Sequence, residues 1–122
     1  MLFTREDSAD LTIRSVARNA IRIGEETLTA SVALTAERIV DEWQAKAIAD
    51  MTIADLEPVL AEQPELLVLG TGWTPCLPPR ELMFALARRG IGLEMMDTPA
   101  ACRTFNILIA EGRRPAAVLL LD

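Results

Sequence analysis

The chain contains no histidine. That removes the Ser–His and Cys–His pairs of nucleophilic catalysis and the imidazole ligands common in zinc sites. Cysteine is scarce: Cys76 and Cys102 are the only two. Two isolated thiols make neither a disulfide framework nor a C-x-x-C redox motif, and a reducing compartment suits them. Long apolar runs are missing. The run near the end, Ala116 to Leu121, is six residues, far below the ~18 that span a bilayer. Near the start, Arg5 is followed by Glu6, Asp7 and Asp10, which fits neither a signal peptide nor a transit peptide. The expectation is a cytoplasmic protein without membrane insertion, with peripheral contact to a membrane complex left open. Basic residues are also outnumbered, 12 against 18 acids. A general nucleic-acid coat needs clustered cations, so nucleic acid is not an expected partner.

What is present is core material. Apolar residues make up 51% of 122 positions, enough for one sizeable core, and that length fits a single domain over 1–122. Residues 1–12 are polar and expected to be loosely held. Charge is uneven: residues 1–65 carry 13 acids and 6 bases, residues 66–122 carry 5 acids and 6 bases. The second half is therefore near neutral and has room for a local cationic site, although most arginines read equally well as solvated helix residues.

From Leu11 to Leu34 the chain reads as β. Ile21 and Ile23 alternate around Arg22, Gly24-Glu25 makes a turn, and Thr27-Leu28-Thr29 and Ser31 to Thr35 follow in the same style. Glu37 to Trp43 is ambiguous, with a short extended segment preferred. Met51 to Gln63 reads as a helix closed by Pro64. Thr52 and Asp55 resemble a capping box, but a helix begun at Asp55 puts Pro58 in the first turn, where no N–H partner is needed, and is preferred. Leu66–Leu69 is a continuous apolar run, as in a strand buried on both faces. Pro78-Pro79 leads a helix that ends at Arg88-Arg89-Gly90. Ile91 to Met96 is a strand, Thr98-Pro99 opens a helix ending at Gly112, and Ala116 to Leu121 is the last strand. Short joins between strand, helix, strand, helix and strand make an α/β unit.

The candidate site lies where strand, glycine turn and helix start meet. Gly70-Thr71-Gly72 follows the first apolar strand, but the third glycine of a dinucleotide fingerprint and the Gly-Lys-Ser/Thr of a P-loop are absent. The turn reads either as a tight φ > 0 bend or as one wall of a small-anion cradle. If the two parallel strands are neighbours, Glu94, Thr98, Arg103 and Asn106 converge with it. Arg103 and Asn106 share a helix face and suit a carboxylate or phosphate. They suit structural work equally, with Thr98 capping the helix, Arg103 pairing with Glu94 and Asn106 bonding a loop. Cys102, near a helix start and Arg103, has the setting of a lowered thiol pKa, against the plainer reading of a small buried residue. Trp73 in the loop suits a partner anchor or a cover for the sheet edge. The acids do not cluster as a metal cage. No catalytic residue, metal ligand or cofactor is assigned.

Taken together, Gly70-Thr71-Gly72, Gly92 to Thr98, Ala100 to Leu108 and Glu111-Gly112-Arg113-Arg114 resemble the small Mth-domain family of unknown function. That family includes bacterial and archaeal proteins and a mitochondrial complex I assembly factor. The resemblance covers about residues 20–122, and Glu94 to Arg114 is its specific part. Phe105 stands where the family more often has tyrosine. The resemblance implies a three-layer α/β fold with a mixed sheet, no established reaction and, in some relatives, a role in assembling respiratory complexes.

Two functional readings follow. The leading one is a non-enzymatic interaction protein that helps assemble a larger, membrane-bound complex. The alternative is a small anionic-ligand binder at the Gly70–Gly72 loop and the Thr98–Asn106 helix start, with Arg103 as counter-charge. A homodimer through the edges of the N-terminal hairpin is open to either.

Overall fold

The computed structural model describes residues 11–121; the expectation of loose order over 1–12 falls almost wholly outside them. Seven strands and three α-helices are formed among the described residues. The first three strands, β1 (Ile13–Ala17), β2 (Ala20–Ile23) and β3 (Glu26–Leu28), make a small antiparallel sheet in that order. Gly24 turns β2 into β3 at φ 58°, a value that glycine adopts at no steric cost. The next strand, β4 (Val32–Thr35), leaves this sheet and joins a larger one.

The larger sheet is mixed, ordered β4, β7 (Pro115–Leu119), β5 (Leu66–Gly70), β6 (Gly92–Met96). β7, β5 and β6 run parallel, while β4 is antiparallel to β7. Every residue of β4, β5 and β7 is buried, which is why these strands read as unbroken apolar runs. Their alternate residues feed two cores. Ala33, Leu67, Leu69, Ala116 and Val118 face α1 (Ile53–Leu60) and α2 (Arg80–Arg88). Val32, Leu34, Leu66, Val68, Ala117 and Leu119 face α3 (Thr98–Ala110) and the small sheet. Helices, mixed sheet, then helix plus small sheet are the three layers. Phe105 is fully buried beneath the small sheet; burying a side chain of that size is worth about 1.5–3 kcal/mol.

The first helix corrects the preferred reading of its start. Thr52, not Asp55, is the N-cap: Thr52 Oγ1 accepts from the Asp55 amide at 3.3 Å and Asp55 Oδ2 accepts from the Thr52 amide at 2.8 Å. Pro58 therefore sits inside α1. Proline has no N–H to give the carbonyl four residues back, at Ala54, and Ala54 is exposed. The two reciprocal bonds at the cap form all the same. The Thr52 amide and hydroxyl, with Lys46, hold the Asp55 carboxyl below its ordinary value. The ambiguous Glu37–Trp43 stretch is a turn plus one antiparallel bridge, Leu34 to Ile39, after which Trp43 is buried.

The chain path fixes where a ligand or partner can reach. From the end of β5 the chain crosses to the α2 face; from the end of its neighbour β6 it crosses to the α3 face and returns on the far side of β5. Two adjacent parallel strands whose connections part to opposite faces leave a crevice beyond their carboxyl ends.

Candidate functional site: the crevice beyond β5 and β6

A crevice of about 410 Å³ lies at that position, lined by Thr71, Trp73, Pro75, Cys76, Leu77, Met95, Met96 and Asp97. One wall is the proline-rich loop after β5 and the other is the end of β6. Most of the lining is apolar. Leu77 is 72% exposed, whereas Met95 and Met96 are half-buried. Methionine thioethers adapt to varied apolar partners. Trp73 is half-buried, and the Arg18 guanidinium from the β1–β2 turn lies 5.6 Å from its ring centroid. A cation over an indole face at this distance is attractive and holds the ring in place.

The glycine turn borders this crevice, and its polar groups are used within the fold. The Thr71 amide donates to the Met96 carbonyl at 2.9 Å and the Gly72 amide to Thr98 Oγ1 at 2.8 Å. Thr98 Oγ1 donates in turn to the Leu120 carbonyl at 2.7 Å. Gly70 is required by close approach: a Cβ there would stand 2.9 Å from Thr98 Oγ1 and 3.0 Å from Ala101 Cβ. Thr98 does not cap α3. Asp97 does, accepting from the Ala100 amide at 2.8 Å, with proline in the first turn.

The structure thus brings Gly70, Thr71, Gly72 and Thr98 together, as the parallel-strand argument requires. Their shared bonds hold strand ends to a helix, and the Thr71 and Gly72 amides are not free to grip an anion. Asn106 lies elsewhere. It clasps β1, accepting from the Ile13 amide at 3.0 Å and donating to the Ile13 carbonyl at 2.8 Å. Glu94 and Arg103 are both exposed, and neither a hydrogen bond nor an ion pair joins them among the described residues. Neither residue lines the crevice.

The two thiols differ. Cys102 is buried under α3, and burial pushes its pKa up to about 12, with Arg103 only partly opposing. Of the two readings of Cys102, the plainer one of a small buried residue holds: desolvation outweighs the nearby charge. Cys76 is exposed in the crevice wall. Leu77, Met95 and Met96 escaped the sequence reading. The signal was a lone leucine amid three prolines, and two methionines closing a strand whose outer side has no strand neighbour among the described residues.

Comparison with known proteins agrees with the fold. The family described as "Protein of unknown function (DUF498/DUF598)" matches residues 13–120. The chain belongs to this family. A member from Danio rerio, NADH dehydrogenase (ubiquinone) 1 alpha subcomplex assembly factor 3, is 34% identical over 121 residues, 98% of this chain and 69% of that one. The chain spans about two thirds of the length of such relatives. A crystal structure from Bordetella parapertussis superposes with a TM-score of 0.82 at 36% identity, covering 91% of this chain and 95% of its own. A solution structure from Bordetella pertussis, described as a Mth938-like domain, superposes with a TM-score of 0.78 at 31% identity, covering 93% and 87%. The family expected from Glu94–Arg114 is the family found.

Proposed function

We propose that this member of the family is a non-enzymatic interaction protein that assists assembly of a membrane-bound, respiratory-type complex, and that the β5–β6 crevice is its docking surface. The observation that carries the reading is likeness along nearly the whole chain to a protein named as an assembly factor for NADH dehydrogenase. The crevice supports it. Its lining is an indole, a proline ring, a leucine and two methionines, a set that binds apolar side chains of another protein. Of its two titratable groups, Asp97 is occupied in capping α3, and Cys76 is an exposed free thiol. The partner suited to it is a subunit presenting an apolar segment before it is buried in the finished complex. No helix among the described residues is long and apolar enough to cross a membrane, and this reading has the protein meet its partner at the membrane periphery.

The test is deletion of the gene in its own organism, followed by native-gel quantification of the respiratory complexes. The expected result is loss of one assembled complex, restored by the wild-type chain but not by a Trp73→Ala, Leu77→Asp double variant that melts like wild type. Full assembly in the deletion strain overturns the assembly role. Full rescue by the double variant overturns the crevice as its surface.

A further inference from the structure

We propose a second binding site beside the opposite edge strand of the large sheet, β4: the groove beside Trp43 receives an extended peptide segment that carries lysine or arginine. Trp43 is only 6% exposed, yet its indole Nε1 has no hydrogen-bond acceptor; it is the one buried side-chain nitrogen or oxygen so placed among the described residues. A buried donor left unpaired costs stability, and native folds rarely keep one without a use. The same tryptophan lines a groove of about 500 Å³. The nitrogen itself is shielded from solvent, so a peptide carbonyl entering the groove pairs with it only as the indole or the groove wall shifts to admit it.

Two further observations choose the occupant. One wall of the groove is β3 with the segment leading into β4. β3 is the outer strand of the small sheet, so its outer edge has no strand partner among the described residues. Such an edge accepts an added strand through main-chain hydrogen bonds. The other observation is charge. Glu26 and Asp41 both line the groove and are exposed, and no lysine or arginine lines it. Neither carboxylate is engaged in an ion pair among the described residues. Anions are repelled there, and a basic side chain on the added strand is attracted. A second copy of this chain is a poor occupant, because it would bring Glu26 towards its own acidic edge.

This site is independent of the β5–β6 crevice, and the experiment keeps the two apart. An acetylated, amidated peptide of sequence lysine-valine-threonine-valine-lysine is titrated into the ¹⁵N-labelled protein, with the two indole N–H signals assigned from Trp43→Phe and Trp73→Phe. Saturating shifts of the Trp43 indole and the Glu26–Leu28 amides, with Trp73 unmoved, support the site. So does retention of that binding in Leu77→Asp, and about tenfold weakening in the exposed-site double variant Glu26→Gln, Asp41→Asn. Absence of these shifts up to about 1 mM peptide, the weak end of specific recognition, overturns it. Equal binding of the glutamate-for-lysine peptide overturns the charge assignment. The same shifts on raising protein concentration alone would assign the edge to a second copy instead.

Discussion

The Gly72 amide donates to the Thr98 hydroxyl at 2.8 Å, and that hydroxyl donates its own hydrogen bond to the Leu120 carbonyl at 2.7 Å. One buried oxygen thus joins the loop after β5, the first turn of α3 and the end of β7. Thr98→Val keeps the shape and leaves a buried N–H and a carbonyl without partners. Each costs about 1–3 kcal/mol, so urea unfolding of Thr98→Val is expected to show a loss of about 2–6 kcal/mol. Thr98→Ser keeps the oxygen and should recover most of it.

Gly70 and Gly90 are glycines for different reasons, and substitution separates them. At Gly70 the backbone is ordinary, but a methyl group would press on Thr98 Cα at 3.0 Å and on Ala101 Cβ at 3.0 Å. Gly70→Ala must push α3 off the sheet, an overpacking cost of about 1–3 kcal/mol. At Gly90 nothing lies within 4 Å, while φ is +74°. Gly90→Ala therefore costs only the left-handed backbone conformation, about 1–2 kcal/mol. Crystal structures or chemical shifts of the variants are expected to show movement of α3 in the first and none in the second.

The sequence made some of this legible and hid the rest for physical reasons. Leu66–Leu69 and Ala116–Leu119 announce buried parallel strands because both faces are apolar, and Gly90 marks a helix end because glycine is needed there. Neighbouring parallel strands bring their loops together, so Gly70–Gly72 beside Thr98 could be anticipated. Which side of α3 meets that loop could not, because the helix's rotation is set by packing Phe105 and Ala101 into the core. That rotation sends Asn106 to β1 and leaves Arg103 outside. The Asn106–Ile13 clasp joins positions 93 apart, and no local pattern encodes such a pair. At α1, proline's local penalty and a capping box pointed to different starts, and only the folded geometry shows which start is used.

That clasp predicts a local effect. Asn106 satisfies both the amide and the carbonyl of Ile13, as a neighbouring strand would. Asn106→Ala should unfasten β1 from α3 before it unfolds the large sheet. Amide exchange is expected to speed up at residues of β1 and β2 and to change little in β5 and β7. Asn106→Asp should be worse than alanine at neutral pH, because a carboxylate oxygen then faces the Ile13 carbonyl with no donor between them. Uniform acceleration across both sheets would show that the small sheet is not a separate cooperative unit.

The thiols provide a measurement that needs no variant. Cys76 is exposed and Cys102 buried, so a thiol reagent is expected to titrate one group in the native protein and both in denaturant. The Cys102 thiol, raised from 9.0 to about 12, also gives the alkaline limb its sign. The folded state favours the neutral thiol, while the unfolded chain releases the proton near the ordinary value. Stability from this group is therefore complete below about pH 9 and is lost as pH rises towards 12. The chain has no tyrosine and Lys46 is its single lysine, so few other groups titrate in that window. Cys102→Ala should lose some packing at neutral pH and show a flatter decline above pH 9. An equally steep decline in the variant would mean that Cys102 opens to solvent before the fold is lost.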